Sequence, residues 1–287
     1  QPKKGGIREC YVPRPGYVYA VADYLANELR SVSQVMISMM GIRPKLADAL
    51  NAGKDPHLML AAEIVGCRYE EAVARYAAGD KLVKAARATA KIASFGFIGG
   101  CGIARFVAQA KADYIKSDGA WGAILTFKQA QTLKKQWLKT WPEFVKYFAW
   151  VNRNQRSGSV TLPITGMTRG GLSYTEMCNT LFQGWAAAGA KAAGFAISKA
   201  CYAQPDHILY GSRIVNFMHD EFLLEVLDDE FASDKALELA RIMCEHADKC
   251  MPDVPSIAEP CLMRRWSKDA KTLLDSDGRL LVWDVAA

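Results

Sequence analysis

The sequence predicts an α+β fold in which a long helical middle is bracketed by strands near either end. Three observations carry that expectation. The stretch "YVYAVA" (17–22) is rich in Val and Tyr and follows a turn built on Pro13, Pro15 and Gly16, the composition of a strand after a loop. Two more short apolar runs flank His219, Asp220 and Glu221. Ile214, Val215, Phe217 and Met218 come before, and Phe222, Leu223, Leu224 and Val226 follow, as in two buried strands joined at a polar tip. Between these ends the chain keeps a helical period. With 287 residues, 51% of them hydrophobic, it can bury a substantial core.

In chain order, the first strand is expected at Tyr17–Ala22, closed by Asp23, after which "DYLANELRSVSQVMISMM" takes up a helical period. Further helices are predicted at about 56–66, 69–78, 80–98, 103–115, 126–139 and 142–154. "RSGSVTLPITGMTRGG" (156–171) is polar and Gly-rich, with a short strand at Val160–Leu162. A helix resumes over 173–202, the strand pair follows, and 230–250 reads as an amphipathic helix. "LDDE" (227–230) precedes that helix and reads as a solvated turn feeding its N-terminus, where carboxylates are favoured.

The net charge of +6 permits a polyanionic partner without demanding one. Eight cysteines are scattered with no C-x-x-C pair, which disfavours structural zinc and predicts reduced thiols in an intracellular protein. The most apolar stretch, "GWAAAGAKAAGFAISKA" (184–200), holds Lys191 and is built on Ala and Gly. It predicts a close-packed interior helix, not a membrane span, so no membrane partner is expected.

The chemistry starts from carboxylates. An antiparallel sheet joining the first strand to the later pair would set Asp23 and Asp220 side by side. Like charges that close repel strongly, and a divalent cation relieves the repulsion. Mg²⁺ takes a few carboxylate oxygens plus substrate phosphates, and two such ions about 4 Å apart clamp the entering and leaving oxygens of a phosphoryl transfer. In the middle, "RATAKIASFGFIGG" (87–100) places Arg87, Lys91 and Phe95 four residues apart, on one helix face. Two cations and an aromatic there can hold a polyphosphate and a base, although the spacing by itself fits a solvated basic face with one core Phe. His57 in "GKDPHLMLAAEI" (53–64) lies near a helix start, a position that favours anions but that capping or surface residues also occupy.

Together these stretches resemble DNA polymerase family A, the group of bacterial DNA polymerase I and phage polymerases. "DYLANELR" (23–30) is similar to the family's Asp-Tyr-Ser-Gln-x-Glu-Leu-Arg, "RATAKIASFGFIGG" to its Arg-x-x-x-Lys-x-x-x-Phe/Tyr-Gly-x-x-Tyr-Gly helix, and "HDE" (219–221) to its last motif. "AGKDPHLMLAAEI", "WPEFVKYFAW" (141–150) and "NTLFQGWAAAGAK" (179–191) resemble intervening family segments. The likeness runs in order to about residue 270.

The resemblance implies a right-hand polymerase core, with palm at 1–30 and 170–287 and fingers at 31–169. It implies Mg²⁺ as cofactor, two ions, with Mn²⁺ as an alternative, and primer–template DNA and dNTPs as partners, in the cytoplasm of a bacterium or phage-infected cell or in an organelle. Asp23, Asp220 and the Tyr24 carbonyl would hold metal, with Glu221 supporting the site. Glu28 would exclude a ribose 2′-hydroxyl. His57, Arg87 and Lys91 would contact the triphosphate, Lys91 being also the candidate proton donor to the leaving group, and Phe95 would stack on the incoming nucleotide. Arg30, Gly99, Asn179, Gln183 and His219 would lie on the DNA side. Leu25, Ala26 and Asn27 depart from the family pattern, and Gly99 stands where the family has Tyr. Gly99 also suits a helix C-terminus, so it implies a looser templating pocket, a cap, or both. The family's thumb precedes the palm, and Gln1, before "PKKGGIREC", resembles the end of the segment leading into it. The expectation is therefore a C-terminal portion whose thumb is on another chain or removed. Three rivals remain: a single-subunit RNA polymerase, disfavoured by Glu28 and Glu221; a two-metal nuclease, which has no use for the Arg87 helix; and a primer–template scaffold without synthesis.

Overall fold

The computed structural model describes residues 6–119 and 122–284, so the expectation attached to Gln1 lies outside the described residues. The elements run β1 (Tyr17–Tyr24), α1 (Asn27–Met40), α2 (Lys45–Asn51), α3 (Pro56–Val65), α4 (Tyr69–Ala77), α5 (Lys81–Ile98), α6 (Ile103–Lys116), α7 (Phe127–Thr140) and α8 (Glu143–Asn154). Then come β2 (Ser159–Thr161), β3 (Thr168–Gly170), α9 (Tyr174–Tyr202), β4 (Arg213–Met218), β5 (Glu221–Leu227), α10 (Ala232–Asp248), β6 (Ala258–Met263), β7 (Leu273–Leu274) and β8 (Leu280–Trp283). The fold is α+β, as the sequence predicts. The first strand runs two residues past Ala22, so Asp23 lies within it. The helix after it begins only at Asn27, because Leu25 and Ala26 make a turn with Ala26 at φ 54°, a left-handed conformation that costs a residue with a Cβ. The short helix α2 and the strands β3, β6, β7 and β8 have no counterpart in the sequence reading.

The chain forms two compact units, one taken from residues up to Glu28 and from Trp185 onward, the other Leu29–Gly184. The first is a six-stranded sheet of order β4-β5-β1-β6-β8-β7, antiparallel except where β6 and β8 run parallel. Side chains alternate between faces along β1. Val18, Ala20 and Ala22 are fully buried. α10 packs on β1 and β6, and the Tyr24 hydroxyl donates to the Met243 carbonyl at 2.7 Å. Gly189 and Gly194 allow close approach by the C-terminal half of α9: a Cβ at Gly189 would stand 3.1 Å from the Ala247 Cα, and one at Gly194 would stand 3.2 Å from the Phe222 ring. On the other face Tyr19, Val21, Leu223, Cys261, Met263 and Trp266 form a second cluster. Asp23 continues that alternation at its end.

The second unit is helical. α3 packs against α4, α5 and α7, and Trp137, Phe144 and Tyr147 are fully buried. Its hairpin β2–β3 occupies the Gly-rich interruption. Among the described residues no helix is long and apolar enough to cross a membrane.

Candidate active site

The first unit brings Asp23 and Asp220 together. β1 and β5 pair antiparallel with Asp23 opposite Glu221. Asp220 sits in the two-residue turn before β5, where its carbonyl accepts the Tyr24 amide at 3.3 Å. His219, the first turn residue, has φ 59° and is exposed at the tip. Burial, and next the Asp23 charge, push the Asp220 carboxyl up to about 7. The Asp23 Oδ1 is buried without a hydrogen-bond partner. This is a pair of carboxylates short of positive charge, the condition a hard divalent cation corrects. No cluster of three or more His, Cys, Asp or Glu side chains is arranged around a metal position among the described residues. The donor set is two carboxylates with neighbouring backbone, which fits a cation that completes its shell with water and phosphate.

Glu221 differs from both. Its side chain is buried, and Trp266 Nε1 donates to its Oε1 at 2.8 Å while Lys268 Nζ lies 2.6 Å from its Oε2. Arg8 stacks over the Trp266 ring at 4.3 Å and reaches within 3.9 Å of Glu221. Of the polar tip, His219 is thus solvent-facing, while Glu221 is buried and has its charge met by neighbouring side chains. Arg8, Trp266 and Lys268 were missed by sequence reasoning. They lie outside periodic segments, and only the pairing of β6 with β1 brings the last two to the site. A pocket of about 400 Å³ opens beside them, with Asp23, Glu221, Glu259, Lys268 and Lys271 among its lining residues.

The second unit assembles the cationic face. Asp80 caps α5 by accepting the Leu82 and Val83 amides, and the helix carries Arg87, Lys91 and Phe95. His57 enters from α3, its ring 6.1 Å from that of Phe95. His57 is buried, and burial first, then Arg87 and Lys91, lower it to about 4 against the opposing effect of Asp55. It is neutral at neutral pH, with its Nδ1 lacking a partner. The anion-favouring start of α3 is already filled by the chain itself. Asp55 accepts the His57 and Leu58 amides, so a carboxylate of the chain itself already satisfies the anion-seeking end of α3. The same Asp55 pairs with Arg87 Nε at 2.7 Å. Phe95 is exposed beside a pocket of about 210 Å³ between α5 and α6, lined also by Ile92, Phe106 and Ala110.

Gly99 is the C-terminal cap of α5. It also makes room, since a Cβ there would stand 2.9 Å from the Asn179 amide atoms, and Asn179 Nδ2 donates to the Thr175 carbonyl at 2.7 Å. Gln183 is exposed on α9. Glu28 lies half-buried in the first turn of α1, and Arg30 is buried on the same helix.

The sheet with its carboxylate hairpin and the helical unit with its cationic helix have the fold of a palm-and-fingers polymerase. A family profile described as DNA polymerase family A matches residues 1–268, and the chain belongs to that family. DNA polymerase I of Aquifex aeolicus (strain VF5) is 23% identical over 265 residues, 92% of this chain and 42% of that protein. The POL domain of Pol1 from M. smegmatis, solved in complex with DNA primer-template and dNTP, matches with a TM-score of 0.62 at 22% identity, covering 91% of this chain and 42% of that one. The chain therefore spans 42% of the length of these relatives.

Proposed function

We propose that this protein is a template-directed DNA polymerase that adds deoxynucleotides from dNTPs to a primer 3′-hydroxyl. The observation that carries the reading is the charge-deficient pair Asp23 and Asp220, in a chain of this family. Asp23, Asp220 and the Tyr24 carbonyl would hold Mg²⁺ or Mn²⁺, and Glu221 would fix the local structure. When bound, two such ions would lower the pKa of the attacking hydroxyl and stabilise charge on the departing pyrophosphate. The residues of the chain do the positioning. Arg87 and Lys91 bind phosphate oxygens, and neutral His57 adds a hydrogen bond without charge. Lys91 donates a proton at the leaving oxygen, and Phe95 stacks on the base. Much of the rate then comes from orientation and preorganised charge. Glu28 selects deoxyribose by filling the space of a 2′-hydroxyl, while Arg30, Asn179, Gln183 and His219 lie toward primer and template.

The test is primer extension by the wild-type protein with all four deoxynucleotides and Mg²⁺, with ribonucleotides in competition. The reading expects elongated primer, one pyrophosphate per addition, and discrimination against ribose that falls in Glu28→Ala. Shortened primer with nucleotide release would assign a nuclease instead, and template binding with neither would assign a scaffold.

A further inference from the structure

The pocket beside Asp23 has a lysine whose place is set by two neighbours. Lys268 comes from the segment after β6, and its Nζ lies 2.6 Å from Glu221 Oε2 and 3.6 Å from Asp23 Oδ2. Glu221 is a fixed platform for it, since its other oxygen is taken by the fully buried Trp266. Lys268 itself is about one-third exposed, at 35% of its side chain, so its head can move while its base stays anchored. The pocket wall sets the carboxylates of Asp23, Glu221 and Glu259 against Lys268 and Lys271, and Glu259 lies directly across from Asp23 in the sheet register. Lys268 also acts on the Asp220 carboxyl, against the Asp23 charge.

We propose that Lys268 is a built-in counter-cation of the Asp23–Asp220 pair, held in place by Glu221, which a divalent metal must displace from Asp23 in order to bind. It is a positioning residue and takes no part in bond making. The inference rests on the reading of the pair as a metal site. Its consequence is a site that stays folded without metal and binds metal weakly until a triphosphate brings further ligands. Glu221 then acts through the lysine, which keeps a second charge ready to retreat when the metal arrives.

The experiment measures Mn²⁺ binding to the intact protein by loss of the free-ion EPR signal, with no DNA or nucleotide present. It compares wild type, Lys268→Met, Lys268→Gln, Lys268→Arg and Asp23→Asn. Removing a positive charge under 4 Å from a partly exposed carboxylate should tighten binding roughly three- to tenfold. Lys268→Met and Lys268→Gln should both show this, Lys268→Arg should retain wild-type affinity, and Asp23→Asn should lose the site. The neutral variants should also melt at lower temperature in chelator and gain more from Mn²⁺ than wild type. Two neutral variants of different shape guard against a folding defect in one. Unchanged or weaker Mn²⁺ binding in a neutral variant that unfolds cooperatively, with an Asp23-dependent site present in wild type, would overturn the inference alone. Absence of any Asp23-dependent site in wild type would overturn the metal reading and this inference with it.

Discussion

The two units treat their charges in opposite ways. In the sheet unit, Lys268 only partly offsets the carboxylates. Asp220 stays pushed up to about 7, and an oxygen of Asp23 is buried without a partner. In the helical unit, Arg87 is matched by Asp55 at 2.7 Å, and the same carboxylate caps α3. On the proposed function, the first region keeps an electrostatic deficit that an incoming cation would relieve. The second is in balance, and an incoming phosphate would have to displace Asp55 from Arg87. Breaking the deficit should therefore act on chemistry and stability with opposite signs, whereas breaking the balance should act mainly on nucleotide affinity.

The largest effect is expected at the deficit. On the proposed function, Asp23→Ala or Asp220→Ala should lower single-turnover nucleotide addition by roughly a thousandfold or more, because ions that would activate the hydroxyl would lose an anchoring oxygen. Primer–template affinity, which on the proposed function would come mainly from Lys and Arg contacts to phosphate, should stay within about threefold. Near-wild-type extension by either variant would remove the pair from the mechanism.

At the balanced region, Arg87→Ala should raise the KM for dNTP roughly 10- to 100-fold, the range of one charge-assisted hydrogen bond. Arg87→Lys should recover only part, since a point charge cannot reproduce the guanidinium fork. Steady-state kinetics showing an unchanged KM in Arg87→Ala would mean that Arg87 serves Asp55 alone.

His57 offers a pH signature. Its folded-state value of about 4 lies below the ordinary 6.5, so the folded protein binds fewer protons than the unfolded chain between those values. The contribution of neutral His57 is fully present above pH 6.5 and is lost as pH falls through 4, on the order of 3 kcal/mol in all. Asp55 opposes the shift, while Arg87 and Lys91 reinforce it. Denaturant unfolding across that window should give a shallower acid loss for His57→Gln, and parallel curves would contradict the assignment.

The smallest effect is at Gly99. Gly99→Ala forces the Asn179 amide to give way and should cost about 1 kcal/mol. A double-mutant cycle with Asn179→Ala should remove most of that cost, and strict additivity would show that the contact carries no energy.

The regions also differ in how far the sequence exposes them. α3 to α8 fall where helical periodicity places them, and the β4–β5 hairpin is written in two apolar runs around "HDE". Such features rest on local signals, either spacing or a turn. β6, β7, β8 and the segment carrying Trp266 and Lys268 have weak local pattern, with Pro260 inside β6. Only long-range pairing with β1 gives them a place. The Asp55–Arg87 pair spans 32 residues and likewise has no local sign. The sequence therefore shows the groups that carry charge, while their counter-ions emerge only with the fold.

On the proposed function the carboxylate pair is an unfavourable arrangement that metal would relieve, and thermal unfolding of Asp220→Asn beside wild type at pH 8 decides whether it is. A carboxyl raised to about 7 when folded holds its proton between the ordinary acid range and that value. Metal-free stability therefore falls as pH rises through this window, and the cost is fully present at pH 8. In chelator, Asp220→Asn should be more stable than wild type by on the order of 1–2 kcal/mol, the conversion being reduced by solvent screening at a partly exposed pair. Added Mg²⁺ should raise the midpoint of wild type and leave that of the variant unmoved. An Asp220→Asn protein that is no more stable than wild type in chelator, or that gains equally from Mg²⁺, would contradict the account.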